Sequence, residues 1–162
     1  MQTAVSEPRQ DPQAASEQTQ PHLMTAIALI AVAGMAISCV SLYEHFATST
    51  TSFCNFSESF NCDLVNRSTY STVFGTPVAL IGAVGYSLIV ILATAYRSHR
   101  QTPLILLIVS SLGLGFALYL AYVEKFVLGA WCLLCLTSLS LIFGEAVLSA
   151  VATMRIRNSR HP

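Results

Sequence analysis

Cys132 and Cys135 stand three residues apart in the stretch WCLLC, at the mouth of an apolar run, 133–152, that carries a single charge. On a helix, positions i and i+3 share a face, so these thiols can close a small disulfide or hold a soft metal. A disulfide there would tie together residues that helix geometry already holds, and would remove little chain entropy. Stability is therefore a poor reason for the pair. Redox exchange is a better one, because a helix N-terminus favours a thiolate and CxxC spacing lets each sulfur act as leaving group for the other. A second pair, Cys54 and Cys62, lies in SFCNFSESFNCDLVNRS with seven residues between its members, enough for the chain to fold back and bridge them. Taken alone it reads as a static loop staple. Beside a reactive CxxC it also reads as a second exchange station. Zinc held by four thiolates is the competing explanation, but the first pair is spaced too widely for a knuckle and the second opens an apolar helix. Haem attachment would need histidine where Leu136 stands. The fifth cysteine, Cys39, lies inside an apolar segment and reads as a small buried hydrophobe.

The elements that must position these thiols are membrane helices. The chain is 54% hydrophobic and 10% charged with mean hydropathy +0.62, whereas a soluble domain carries roughly 25% charged residues. Eight basic residues balance eight acidic ones, which gives no electrostatic case for a nucleic-acid partner. Four stretches, 23–46, 76–96, 104–123 and 129–153, each approach the roughly 20 residues that cross a bilayer as a helix. Residues 1–22, rich in Gln, Ser, Thr and Pro, read as a disordered tail. The first apolar run is too long for a cleaved signal, and AISC lacks the apolar residue that opens a lipoprotein box. Arg97 and Arg100 between spans two and three, and Arg155, Arg157 and Arg160 in the basic tail 154–162, put those segments and the N-terminus on the cytoplasmic side. Both cysteine pairs then face outward, where disulfides persist. The expected fold class is an all-α membrane protein, a four-transmembrane-helix bundle with a long outer loop between helices 1 and 2. Gly82, Gly85, Gly113 and Gly115 let its helices approach. Glu44, His45, Glu124 and Lys125 fall at outer helix ends and are expected to face headgroups and water. Asp63 reads as a cap or turn residue.

The order of these motifs resembles the vitamin K epoxide reductase family in its bacterial form. The match is carried by Cys54 and Cys62, by CDLVNRSTY with Ser68 six residues after Cys62, by FGTPVALIGAVGY, and by AYVEKFVLGAWCLLC. The resemblance implies a four-helix bundle enclosing a quinone of the ubiquinone or menaquinone type, with Cys132 and Cys135 beside its ring. It implies that Cys54 and Cys62 bring electrons in from outside, and that Ser68 lies near the quinone and the catalytic thiols as a hydroxyl donor. Phe74, Pro77 and Tyr86 become candidates for the quinone wall, though bundle packing explains each equally well. Trp131 either covers the quinone or anchors at the interface. Leu139 departs from the vertebrate pattern, which carries an aromatic residue after CxxC. Many bacterial members carry a fused thioredoxin-like domain that is not seen here, so the expected partner is a separate exported thioredoxin-like (DsbA-like) protein. Another class of four-span, quinone-coupled thiol oxidase places CxxC in its first outer loop, the reverse of the order here. The implied activity is a quinone-dependent thiol oxidoreductase of the bacterial inner membrane that supports disulfide formation. The alternative is a four-span structural or adhesion protein with a permanent loop disulfide.

Overall fold

The computed structural model of the chain describes residues 12–46, 55–57, 60–99 and 101–158. Helix α1 spans Pro12–Phe46 and so begins within the segment expected to be a disordered tail. Residues 12–20 are rich in Gln, Ala and Glu, which extend a helix at low cost once an apolar segment has nucleated it, and proline is favoured at the first helical position. Residues 1–11 and the tail's last residues, 159–162, lie outside the described residues, as does Cys54. After α1 come two short antiparallel strands, β1 (Asn55–Ser57) and β2 (Phe60–Asn61), then the five-residue helix α2 (Cys62–Asn66). A 3-10 turn, Thr69–Ser71, leads into a hairpin of β3 (Thr72–Val73) and β4 (Thr76–Pro77). Phe74 (φ 51) and Gly75 (φ 79) make its two-residue loop, where both residues take the left-handed conformation such tight hairpins require.

Three further long helices follow: α3 (Val78–Thr94), α4 (Thr102–Val123) and α5 (Leu133–Asn158). Helix α1 packs against α3 and α5, α4 packs against α5, and α3 touches α4, which closes a ring of four. Its core is aliphatic, centred on Ile27, Ala31, Ile89, Leu106 and Ile142. The outer surface is apolar too, with Leu29, Ile108, Leu118 and Phe143 all exposed, the arrangement expected of helices whose solvent is lipid. Three segments, Pro21–Phe46, Thr102–Leu128 and Leu133–Asn158, are long and apolar enough to cross a membrane. Helix α3, with 17 residues, is shorter: at 1.5 Å per residue it covers about 26 Å of a hydrocarbon core about 30 Å thick. Cys39 is exposed on the outer face of α1, not buried, because its helical neighbour Ser38 takes the inward position against Gly82.

The helix ends set up the site. Helix α4 passes into a π-helical turn, Glu124–Leu128, that stops at Gly129 in the left-handed conformation (φ 63). The chain reverses there, and Ala130 and Gly129 both donate their N–H groups to the Glu124 carbonyl. As a result α5 begins at Leu133, four residues later than the expected span 129–153, and the CxxC motif straddles its first turn.

Candidate functional site

The segment between α1 and α3 is pinned to the start of α5 by backbone contacts. Phe60 forms a parallel bridge with Trp131, and the Asn61 N–H donates to the Trp131 carbonyl at 3.1 Å. Asn61 also caps α2, its side-chain oxygen accepting the Leu64 N–H at 2.9 Å, so Cys62 occupies the first position of a short, fixed helix. Asp63, in that first turn, pairs with Arg67 at 2.7 Å and does not cap the helix. Cys62 is buried in one apolar cluster with Val65, Ala130 and Cys132, against which Leu128, Leu134 and Cys135 pack. It is disulfide-bonded.

Cys132 and Cys135 are free thiols. Cys132 is the cap residue of α5: its carbonyl accepts the Leu136 N–H at 3.0 Å while its side chain stays outside the helix, fully buried. The Cys135 thiol donates to its sulfur, and the backbone N–H groups of Cys135 and Leu134 add to that. These donors hold the Cys132 thiol below its ordinary pKa against the opposing effects of burial and of Glu124. Cys135, one turn on, packs against the same cluster and also borders the interior of the bundle.

There it lines a cavity of about 390 Å³ bordered by all four long helices and α2. The walls are mostly apolar, including Ile81, Ile89, Leu112, Phe116 and Ile142, and Gly82, Gly85 and Gly113 leave the space open. Polar groups gather at the end nearest the thiols. Asn66 is buried; its amide oxygen accepts the Ser41 hydroxyl at 3.0 Å, and its carbonyl meets His45 Nδ1 at 2.6 Å. Its side-chain Nδ2 has no hydrogen-bond partner among the described residues. An unpartnered buried donor costs roughly 1–3 kcal/mol, and a mostly apolar cavity with a spare amide donor fits a ring carrying a carbonyl oxygen.

The candidates named from sequence fall into two groups. Cys135, Ser68, Pro77 and Tyr86 all line the cavity, and Cys62 packs with Cys132 just outside it. The Ser68 hydroxyl donates to the Val65 carbonyl at 2.8 Å, which leaves its lone pairs for the cavity. The Tyr86 hydroxyl donates to the Ser138 carbonyl at 3.0 Å. Phe74 and Trp131 do not line the cavity. Phe74 is fully exposed at the tip of the β3–β4 hairpin, since its positive φ turns it away from the bundle. Trp131 is held in the loop bridge with the Lys125 ammonium 5.9 Å from its ring centre.

Three residues belong to this site that the sequence did not single out. Glu124 was expected at the headgroups; it is 2% exposed, lines the cavity, and its Oε2 accepts the Cys132 N–H at 3.0 Å. The reversal at Gly129 carries it inward, and a glycine five residues after an acidic helix end is the signal that could have shown this. His45 was likewise expected to face water and instead lines the cavity against Asn66. Asn66 itself sits four residues after Cys62, one helical turn along α2.

No curated protein matches the chain. The model of the vitamin K epoxide reductase family matches residues 25–150, a stretch that holds the four long helices' apolar segments, the loop cysteines and CxxC. That family comprises membrane oxidoreductases whose thiol–disulfide chemistry is linked to quinones and to thioredoxin-like partners. A bundle with an apolar belt, a CxxC at a helix start and a cavity behind its second sulfur is what such chemistry needs, and the chain belongs to the vitamin K epoxide reductase family.

Proposed function

We propose that this protein reoxidises an exported thioredoxin-like dithiol and delivers the two electrons to a membrane quinone through Cys54, Cys62, Cys132 and Cys135 in that order. The observation that carries this reading is the placement of the CxxC thiols in series: Cys132 packs with the disulfide-bonded Cys62, and Cys135, in contact with Cys132, opens on the cavity. The partner's thiolate attacks the outer disulfide at Cys54; Cys62, released, attacks Cys132 and expels Cys135. Cys54 then attacks Cys62 and reforms the outer disulfide, and the donors at the start of α5 that favour the Cys132 thiolate make Cys132 a good leaving group in that step. A bound quinone supplies the terminal two-electron acceptor. Asn66 Nδ2 is placed to hold a carbonyl oxygen, and Ser68 and His45 complete the polar end. The aliphatic walls exclude water and admit a ring from the bilayer. In this reading α3 is a fourth span completed by the flanking hairpin and the turn after Thr94, both termini are cytoplasmic, and the cysteine pairs face the outside of a bacterial inner membrane.

The test is oxidation of a reduced thioredoxin-like protein by the purified chain with ubiquinone or menaquinone, following quinol by its absorbance. Turnover should require quinone and disappear in Cys135→Ser. Oxidation that proceeds without quinone, or survives that substitution, would refute the assignment.

A further inference from the structure

Glu124 carries more than its cap to α5 requires. Its side chain is buried beside the cavity, and only one carboxyl oxygen, Oε2, is held, by the Cys132 N–H at 3.0 Å. Oε1 has no hydrogen-bond partner among the described residues. The same carboxyl faces the Cys135 thiol, and both residues line the same cavity. The backbone is fixed as well, since the Glu124 carbonyl accepts the N–H groups of Gly129 and Ala130. A cap alone does not need an acid: a glutamine oxygen accepts a backbone N–H equally well without the cost of burying an ionisable group. What the carboxyl adds is an oxygen that can take up and release a proton between a sulfur and a cavity.

We infer that Glu124 is the proton carrier of the inner pair, its carboxyl taking the thiol proton of Cys135 and passing it to an oxygen of the quinone in the cavity. The inference rests on the function proposed above. Oxidation of the pair gives up two electrons and two protons, and reduction of a quinone to a quinol takes up two of each. The Cys135 S–H bond breaks as an O–H bond forms on Glu124; the Cys132–Cys135 disulfide closes as its two electrons pass to the quinone, and the Glu124 proton goes to one of the quinone's oxygens. The second proton is the one Cys132 loses to water on the loop side, replaced from water at the other quinol oxygen. With Oε2 tethered to Cys132 and Oε1 free, the acid is held where both its donor and its acceptor lie.

Glu124→Gln and Glu124→Asp test this in the full chain. Glutamine keeps an acceptor for the Cys132 N–H, so a residue that only caps α5 predicts nearly native behaviour. A proton carrier predicts that Glu124→Gln lowers the rate of quinol formation at saturating quinone by about 10²-fold, with quinone KM little changed, and that Glu124→Asp recovers part of the loss. A second readout needs no quinone: the infrared difference spectrum between dithiol and disulfide forms, poised with a soluble dithiol. It should contain a carboxyl C=O feature that Glu124→Gln removes and Glu124→Asp shifts. A Glu124→Gln protein with native turnover, or spectra in which no feature depends on Glu124, would overturn the inference. If the native protein itself makes no quinol, the proposed function fails, and the infrared feature still decides whether Glu124 exchanges a proton with the pair.

Discussion

Cys132 and Cys135 share one helical turn but differ in every physical respect that matters for exchange. Cys132 is the cap residue, with its sulfur receiving the Cys135 thiol proton and two backbone N–H groups; Cys135 is inside the helix and faces the cavity. The first and largest of those influences on Cys132 is the thiol donor, which can be removed without touching the helix. In a background with Cys39, Cys54 and Cys62 changed to serine, Cys135→Ser keeps a hydroxyl donor to the Cys132 sulfur and Cys135→Ala does not. A donor favours the thiolate, so the reactive form persists to lower pH where the donor remains. Ultraviolet thiolate absorbance should therefore titrate at lower pH in the serine protein than in the alanine protein. Equal midpoints would mean that the backbone N–H groups alone set the Cys132 thiolate.

At the scale of elements, the cavity exists because helices approach closely around it without filling it. A Cβ at Gly34 would run into the Tyr86 ring, and Tyr86 lines the cavity. Gly34→Ala should thus cost about 1–3 kcal/mol as overpacking, with Tm falling roughly 2–4 °C per kcal/mol, and should weaken quinone binding by displacing Tyr86. Gly115→Ala is the control: nothing lies within 4 Å of its added Cβ, so its Tm should hold or rise slightly. Thermal unfolding in detergent reads both. Gly115 also shows where the sequence stops speaking, since it shares the small-residue pattern of Gly82 and Gly113 but meets no neighbour. Apolar runs are legible because membrane helices need them at a fixed length, and the cysteine chemistry is legible because CxxC spacing and the loop pair are local. The start of α1 at Pro12 and of α5 at Leu133 depend on propensity and on the reversal at Gly129, which hydropathy does not report. Asn66, His45 and Glu124 come from three different elements, α2, α1 and the turn after α4, and only their packing shows that they converge. A polar residue at a helix end reads as interfacial by default; Glu124 and His45 are inward because the chain folds back over them.

Across the whole molecule, an apolar exterior surrounds a cavity that Cys135 lines at one end of the bundle, where Cys132 and the disulfide-bonded Cys62 pack together. In the proposed orientation the basic residues Arg97, Arg155 and Arg157 face the cytoplasm. In a protein lacking its native cysteines, one introduced at exposed Thr69 should react with an impermeant thiol reagent in intact cells, and one introduced at exposed Ser98 only after lysis. The reverse pattern would place the thiols in a reducing compartment, where the relay could not run. The relay itself is tested most directly by trapping its middle. In Cys54→Ser the thiol that resolves the exchange is missing, so a bridge between the loop and α5 should accumulate when quinone and a small reductant are both present. Non-reducing digestion and peptide mass analysis of that protein is the measurement: the account predicts a loop peptide joined to the WCLLC peptide through Cys62 and Cys132, with Cys135 free to alkylate. Absence of that linked peptide, in a protein that still forms a mixed disulfide with its partner through Cys62, would contradict it.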